Sequence, residues 1–188
     1  MSVLINAVII IIIVLAGLAL LIFNNLIRLR NSVTRAWSNV EVLLEKRYDL
    51  ITNLANAVKG YAQYEKTLLV SLTQLRSSWD KVKDTDDMKG KMDAANSTTT
   101  ALKTLIARVE NYPDLKADTT FLNLQNELAE IENEIADSRQ FYNDSIKVYN
   151  INITIVPYDL FSRLLGYKPM PYFEAAEGEK APINATFG

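Results

Sequence analysis

Apolar and polar positions follow two different schedules along this chain. Residues 3–23 form a nearly unbroken apolar run in which Asn6 is the one strongly polar side chain. At about 1.5 Å per residue, such a run reaches roughly 30 Å as a helix, the thickness of a bilayer hydrocarbon core. Beyond it, the apolar positions recur at helical intervals. Leu29, Val33, Ala36, Val40, Leu43, Arg47, Leu50, Leu54, Ala57 and Tyr61 are separated alternately by four and three residues. Trp37, Leu44, Ile51 and Val58 form a second row, seven apart, beside the first. Three positions per heptad make a stripe wide enough to face a bundle core. No Gly or Pro stands between Gly17 and Gly60. The membrane helix is therefore expected to continue into water without a break.

Three further helices are predicted. Leu68, Leu72, Leu75, Trp79 and Val82 mark one, which ends at Asp84-Thr85-Asp86-Asp87. Those acidic side chains suit the positive end of the helix that follows. That helix carries Met88, Met92, Ala95, Leu102, Leu105, Ile106 and Val109. Its pattern is weakened by Ser97-Thr98-Thr99-Thr100, and Pro113 is expected to close it. The longest pattern is Phe121, Leu124, Leu128, Ile131, Ile135, Tyr142 and Tyr149. Gln125, Glu132, Arg139, Ile146 and Ile153 flank it at every seventh position, and Pro157 ends it. Neither strand-period alternation nor a repeat is visible. The expected fold is all-α: a transmembrane helix over residues 1–27 continuous with an antiparallel up-and-down four-helix bundle over 28–156, then a C-terminal tail over 157–188.

Charge sharpens the membrane reading. No charged side chain precedes Arg28, so all 42 charged residues (20 basic plus 22 acidic) follow position 27. A cleaved signal peptide has a basic leader and a shorter apolar core. Only Met1 and Ser2 precede this run, so an uncleaved anchor is expected. Arg28, Arg30 and Arg35 follow the span. The positive-inside rule then puts the N-terminus outside and the bundle in the cytoplasm, on a single-pass protein of the plasma membrane.

Composition removes much of the catalytic repertoire. The chain has no Cys and no His, which excludes disulfides, thiolate metal sites, the commonest general base and the commonest metal ligand. No cofactor is expected. A net charge of −2 leaves no footprint for nucleic acid, and Lys103, Arg108 and Lys116 are too sparse for a basic patch. Glu127, Glu130, Glu132 and Glu134 cluster, but di-iron bundles pair Glu with His, so they read as a solvated acidic face. Glu41 and Glu45 read as ordinary surface charge beside Lys46 and Arg47. Tyr61, Tyr64, Tyr142 and Tyr149 read as core edges with their hydroxyls in water.

Arg47 stands out because it occupies a core-spaced position. A buried guanidinium needs a carboxylate, and Glu132 lies on the edge row of the longest helix with Arg139. One reading is a structural polar layer of Arg47 and Glu132, with Asp49, Asn53, Asn133 and Arg139 as further members, that sets helix register. The other is that Arg47 snorkels to the bundle edge with only its stem buried. In an up-and-down bundle, the end of the fourth helix returns toward the membrane. There, Phe161, Leu164 and Leu165 are expected on one face of a short helix, among Tyr158, Tyr167 and Tyr172 with Arg163 and Lys168. Aromatic and basic side chains of this kind suit a membrane-proximal segment. The competing reading is a cover over the open end of the core. After Pro171, an extended or mobile tail is expected.

Several stretches resemble the LemA family. They are Ala36-Trp37-Ser38-Asn39-Val40-Glu41-Val42, Lys46-Arg47-Tyr48-Asp49-Leu50-Ile51 through Asn53-Leu54, and Val58-Lys59-Gly60-Tyr61-Ala62. Glu132-Asn133-Glu134-Ile135 with Arg139-Gln140-Phe141-Tyr142-Asn143 is similar too, as is the ending Gly166-Tyr167-Lys168-Pro169 through Pro171-Tyr172-Phe173. The likeness keeps its order over nearly the whole chain. It departs at Thr52, where the family usually has proline, and at Tyr64, where it usually has histidine before the glutamate. The resemblance implies a single-pass membrane protein with a cytoplasmic antiparallel helical bundle and does not imply an enzyme. It also implies membrane organisation, through a branch associated with magnetosome membrane formation. An adaptor role is implied by members encoded beside membrane proteases.

Three functions remain. The first is a non-enzymatic structural protein on the lipid bilayer that self-associates as a homo-oligomer and organises or remodels the membrane. The second is an adaptor that docks a membrane protease or another membrane-protein partner. The third is catalysis, for which no nucleophile with an adjacent base is found.

Overall fold

The structure, a computed structural model, describes residues 1–59 and 66–174. Its elements are α1 (Ser2–Lys59), α2 (Lys66–Asp80), α3 (Met88–Val109), α4 (Pro113–Lys116), α5 (Thr119–Asn152) and α6 (Tyr158–Leu164). No strand occurs among the described residues, so the chain is all-helical. Helix α1 runs for 58 residues without interruption. Its N-terminal part contains an 18-residue window of mean hydropathy 3.1, of which 6% is buried. By length and composition, this helix can cross a membrane. Gly60, Tyr61, Ala62 and Tyr64, named in the sequence reading, lie outside the described residues.

Two helix boundaries differ from the sequence expectation. Val82 lies beyond α2, where the Trp79 carbonyl accepts hydrogen bonds from both Val82 N and Lys83 N and closes the helix in a turn. Pro113 does more than end α3: it opens the single turn of α4, whose Leu115 is buried. A proline suits a first helical position because its missing N–H would have had no partner there. The acidic cluster does cap α3. Asp87 Oδ1 accepts from Gly90 N at 2.9 Å, and a Cβ at position 90 would stand 2.3 Å from the same carboxylate. Glycine lets that carboxylate fold over the helix start.

Contacts group the chain into two units. One holds residues 40–139 and Phe173 onward. Here α1 buries Val40, Leu44, Arg47, Tyr48, Ile51, Leu54 and Val58, and α2 and α3 bury Leu72, Trp79, Met92 and Leu102. Phe121, Leu128 and Ile135 of α5 are also buried. The row Leu44, Ile51, Val58 is more deeply buried than Leu43, Leu50 and Ala57, which are half-buried. The buried stripe is thus shifted toward the side that carries Tyr48, because α2 and α3 cover that side: Tyr48 stacks on Trp79 and bonds to α3.

The other unit holds Met1–Asn39 and Gln140–Tyr172. Its buried residues include Ile22, Leu26, Val33, Ala36 and Trp37 of α1 with Tyr142, Ile146 and Tyr149 of α5. The rings of Trp37 and Tyr142 lie 5.3 Å apart. Helix α6 ends in a left-handed glycine, Gly166 (φ 72°), and Tyr167 N donates to Ser162 O at 2.9 Å. This helix-ending turn sends the chain back along α5. Residues from Lys168 to Pro171 then lie on α5 side chains: Tyr149 donates to Lys168 O, Asn150 pairs with both Met170 N and Met170 O, and Tyr142 donates to Pro171 O.

Candidate functional site

The polar centre of the 40–139 unit is built on Arg47, whose side chain is fully buried. Arg47 Nη1 donates to Glu132 Oε1 at 3.1 Å and to Thr99 Oγ1 at 3.0 Å. Nη2 donates to the Ala95 carbonyl at 3.2 Å. Thr99 in turn donates to Glu132 Oε2 at 3.0 Å. The network joins α1, α3 and α5, and the guanidinium also lies over the Tyr48 ring, 5.1 Å from its centre. A delocalised cation on an aromatic face, with a carboxylate at its fork, is a stable way to hold charge in a core.

Tyr48, fully buried, continues the layer. Its hydroxyl lies 2.7 Å from Thr98 Oγ1, and its ring stacks on Trp79 with centroids 4.7 Å apart. Trp79 Nε1 donates to Glu45 at 2.9 Å, and Lys91 pairs with Glu41 at 2.6 Å. Glu41 and Glu45 are therefore partners of buried groups on other helices, not free surface charge, because α2 and α3 bring a donor to each. Replacing Tyr48 with phenylalanine keeps the stack and removes the hydroxyl. We expect a loss of about 1 kcal/mol, readable as a lower midpoint in chemical denaturation. The same loss is expected for Thr98→Val, and the two should not add.

Other members expected in this layer sit elsewhere. Asp49 is exposed and pairs with Arg76 at 3.2 Å, and Asn53 and Asn133 are exposed. Their helical phase explains this: Asp49 and Asn53 lie two and six residues from Arg47, and Asn133 lies one residue from Glu132, on faces that turn outward. Arg139 lies two turns beyond Glu132 with its guanidinium 4.2 Å from the centre of the Phe173 ring. Phe173 is buried, and Asn96 donates to Glu174 O. The chain just after Pro171 is thus extended but held, because a large ring there gains more from burial than the segment gains from freedom.

In the other unit, Tyr158 Oη accepts from Asn25 Nδ2 at 2.9 Å, and Tyr167 lies beneath Arg30, 6.0 Å from ring centre to guanidinium carbon. Phe161, Leu164 and Leu165 keep the helical spacing of three and four but are covered unequally. Phe161 is half-buried beside buried Ser162, whereas Leu164 is 81% exposed and Leu165 is also exposed. Leu160 and Leu164, four apart on α6, are the exposed apolar pair, and Val156 just before the helix is exposed too. Tyr142 and Tyr149 also depart from expectation: their hydroxyls donate to carbonyls of the returning chain and do not point into water. Burial pushes both hydroxyls above the usual tyrosine range, and at Tyr149 the Arg30 charge partly opposes the rise. Both remain protonated donors throughout the physiological range.

A sequence model of the LemA family matches residues 36–187. The chain belongs to the LemA family. The LemA match takes in the whole Arg47 layer and the returning segment that rests on Tyr142 and Tyr149. A curated relative, Protein LemA of Metamycoplasma hominis, is 26% identical over 111 residues, covering 56% of this chain and 48% of that protein. The chain thus matches about half the length of that LemA relative. Within this LemA-family chain, reasoning from spacing missed Tyr48, Thr98 and Thr99. The available signal was that Met92, Ala95, Thr98, Leu102, Leu105 and Val109 keep one helical interval, so the threonines stand at core positions.

Proposed function

We propose that this is a membrane-anchored, non-enzymatic LemA-family protein whose helical body self-associates beside the bilayer and organises the membrane. In this reading, α1 spans the plasma membrane once, with its N-terminus outside and the remaining helices in the cytoplasm. The observation that carries self-association is a row on α5. Phe141, Val148 and Ile151, continued by Ile155 just past the helix, are 56%, 49%, 49% and 45% exposed. They follow one another at intervals of seven, three and four, while Tyr142, Ile146 and Tyr149 on the adjoining face fill the interior. A repeated apolar row of this spacing matches a helix–helix seam. A structural role is further supported by Arg47: its charge is enclosed by Glu132, Thr99 and the Ala95 carbonyl, so it is spent on packing.

The test is native mass in mild detergent. A homo-oligomer is expected for the wild type, and Phe141→Asp with Val148→Asp should reduce it to monomer with unchanged helicity by circular dichroism. An oligomer that survives those substitutions removes the seam. A wild-type monomer recovered with a single membrane protein favours the adaptor role instead.

A further inference from the structure

We propose that the turn after α6 and the start of the cytoplasmic part of α1 form a cleft for the headgroup of an anionic phospholipid, gripped between Arg30 and Lys168. This rests on the reading of α1 as a membrane span. The cleft has a volume of about 300 Å³, and Arg30, Tyr149, Gly166, Tyr167, Lys168 and Met170 are among its lining residues. Its charge is one-sided. Arg30 and Lys168 contribute two cations, and among the described residues no carboxylate lines the cleft. The neighbouring acid, Asp159, is engaged by Arg163 at 2.8 Å.

Position selects the ligand. The apolar run ends at Phe23, and Arg30 stands seven residues later, roughly 10 Å further along the helix axis. Side chains on a helix lean toward its N-terminus, so the Arg30 guanidinium reaches back toward the bilayer. That brings it within the headgroup layer, which adds about 5–8 Å on each side of the hydrocarbon. Helix α6 is fixed at the same level by the Asn25–Tyr158 hydrogen bond. Its Leu160 and Leu164 are 71% and 81% exposed, and Val156 just before the helix is 87% exposed, which is costly in water and suited to the acyl boundary. Apolar side chains that enter the interface, with basic groups just above them, fit a phosphodiester on a lipid better than a free anion.

The experiment uses the full chain in maltoside detergent and native mass spectrometry with equal amounts of phosphatidylglycerol and phosphatidylcholine. The wild type should retain phosphatidylglycerol about five- to tenfold over phosphatidylcholine. Arg30→Gln with Lys168→Gln should bring the ratio to about one. Arg28→Gln with Arg35→Gln, which removes the same charge outside the cleft, should preserve it. Equal losses in both double variants overturn the site and leave only a diffuse surface charge. Displacement of the lipid by millimolar inorganic phosphate overturns the lipid assignment. The same preparations are washed with carbonate in phosphatidylcholine vesicles. Wild type released by the wash overturns the membrane span and the cleft together; wild type that stays embedded without headgroup preference overturns the cleft alone.

Discussion

Replacing Glu132 with alanine is expected to cost about 3 kcal/mol of folding stability, the largest single-residue effect in the 40–139 unit. The cost comes less from the lost bond than from what remains. Arg47 is fully buried, and without Glu132 its guanidinium keeps only neutral partners, Thr99 and the Ala95 carbonyl. Its Nε already has no hydrogen-bond partner among the described residues. The converse change is milder. The Glu132 side chain is 24% exposed, so after Arg47→Met water solvates the carboxylate and Thr99 still donates to it. We expect a loss of about 1–2 kcal/mol for Arg47→Met. Arg47→Met combined with Glu132→Leu should recover to within about 1 kcal/mol of wild type, since an apolar pair replaces two desolvated charges. Denaturant titration of the full chain in mild detergent gives all three values. A Glu132→Ala loss smaller than that of Arg47→Met would mean that Arg47 is solvated along its stem.

Placing three arginines in the apolar run, Ile10→Arg, Val14→Arg and Leu18→Arg, is expected to convert a carbonate-resistant protein into a carbonate-extractable one. Each arginine near the helix centre costs about 2.5–3.5 kcal/mol, so three cost about 8–10. Against this, the thirteen Leu, Ile, Val and Phe side chains that the triple variant keeps between residues 3 and 23 contribute roughly 4–8 kcal/mol in total. Ile12→Arg alone stays below that sum and should leave the chain embedded. A triple variant that still resists carbonate would show that α1 is not what holds the protein to the bilayer.

The Arg47 layer separates what one sequence can reveal from what it cannot. Arg47 draws attention because a cation at a core interval is anomalous, and the need for a carboxylate points across to Glu132 on a second helix. Thr98 and Thr99 give only a faint signal in their interval, because threonine at a helix centre reads as weak helix material before its neighbours are known. Glu41 and Glu45 look like solvated charge for a similar reason: Lys91 and Trp79, which engage them, come from helices whose rotation about their axes the sequence leaves free. Asp49, Asn53 and Asn133 err in the opposite direction. They are close to the layer in sequence and off it in helical phase.

The returning segment gives the same lesson in the unit formed by residues 1–39 and 140–172. The glycine at 166 suits the left-handed turn found there, and the prolines after it suit an extended stretch. They do not foretell that Tyr142, Asn150 and Tyr149 supply the donors and acceptor that hold it.

By itself the sequence determined the main helices, the acidic cap before α3 and the long apolar start, because hydrophobic interval, capping chemistry and the absence of Gly and Pro act within a few residues of one another. Only the tertiary structure decided which polar side chains meet. That choice depends on the phase and axial level at which separate helices pack, quantities set jointly by all the contacts at once.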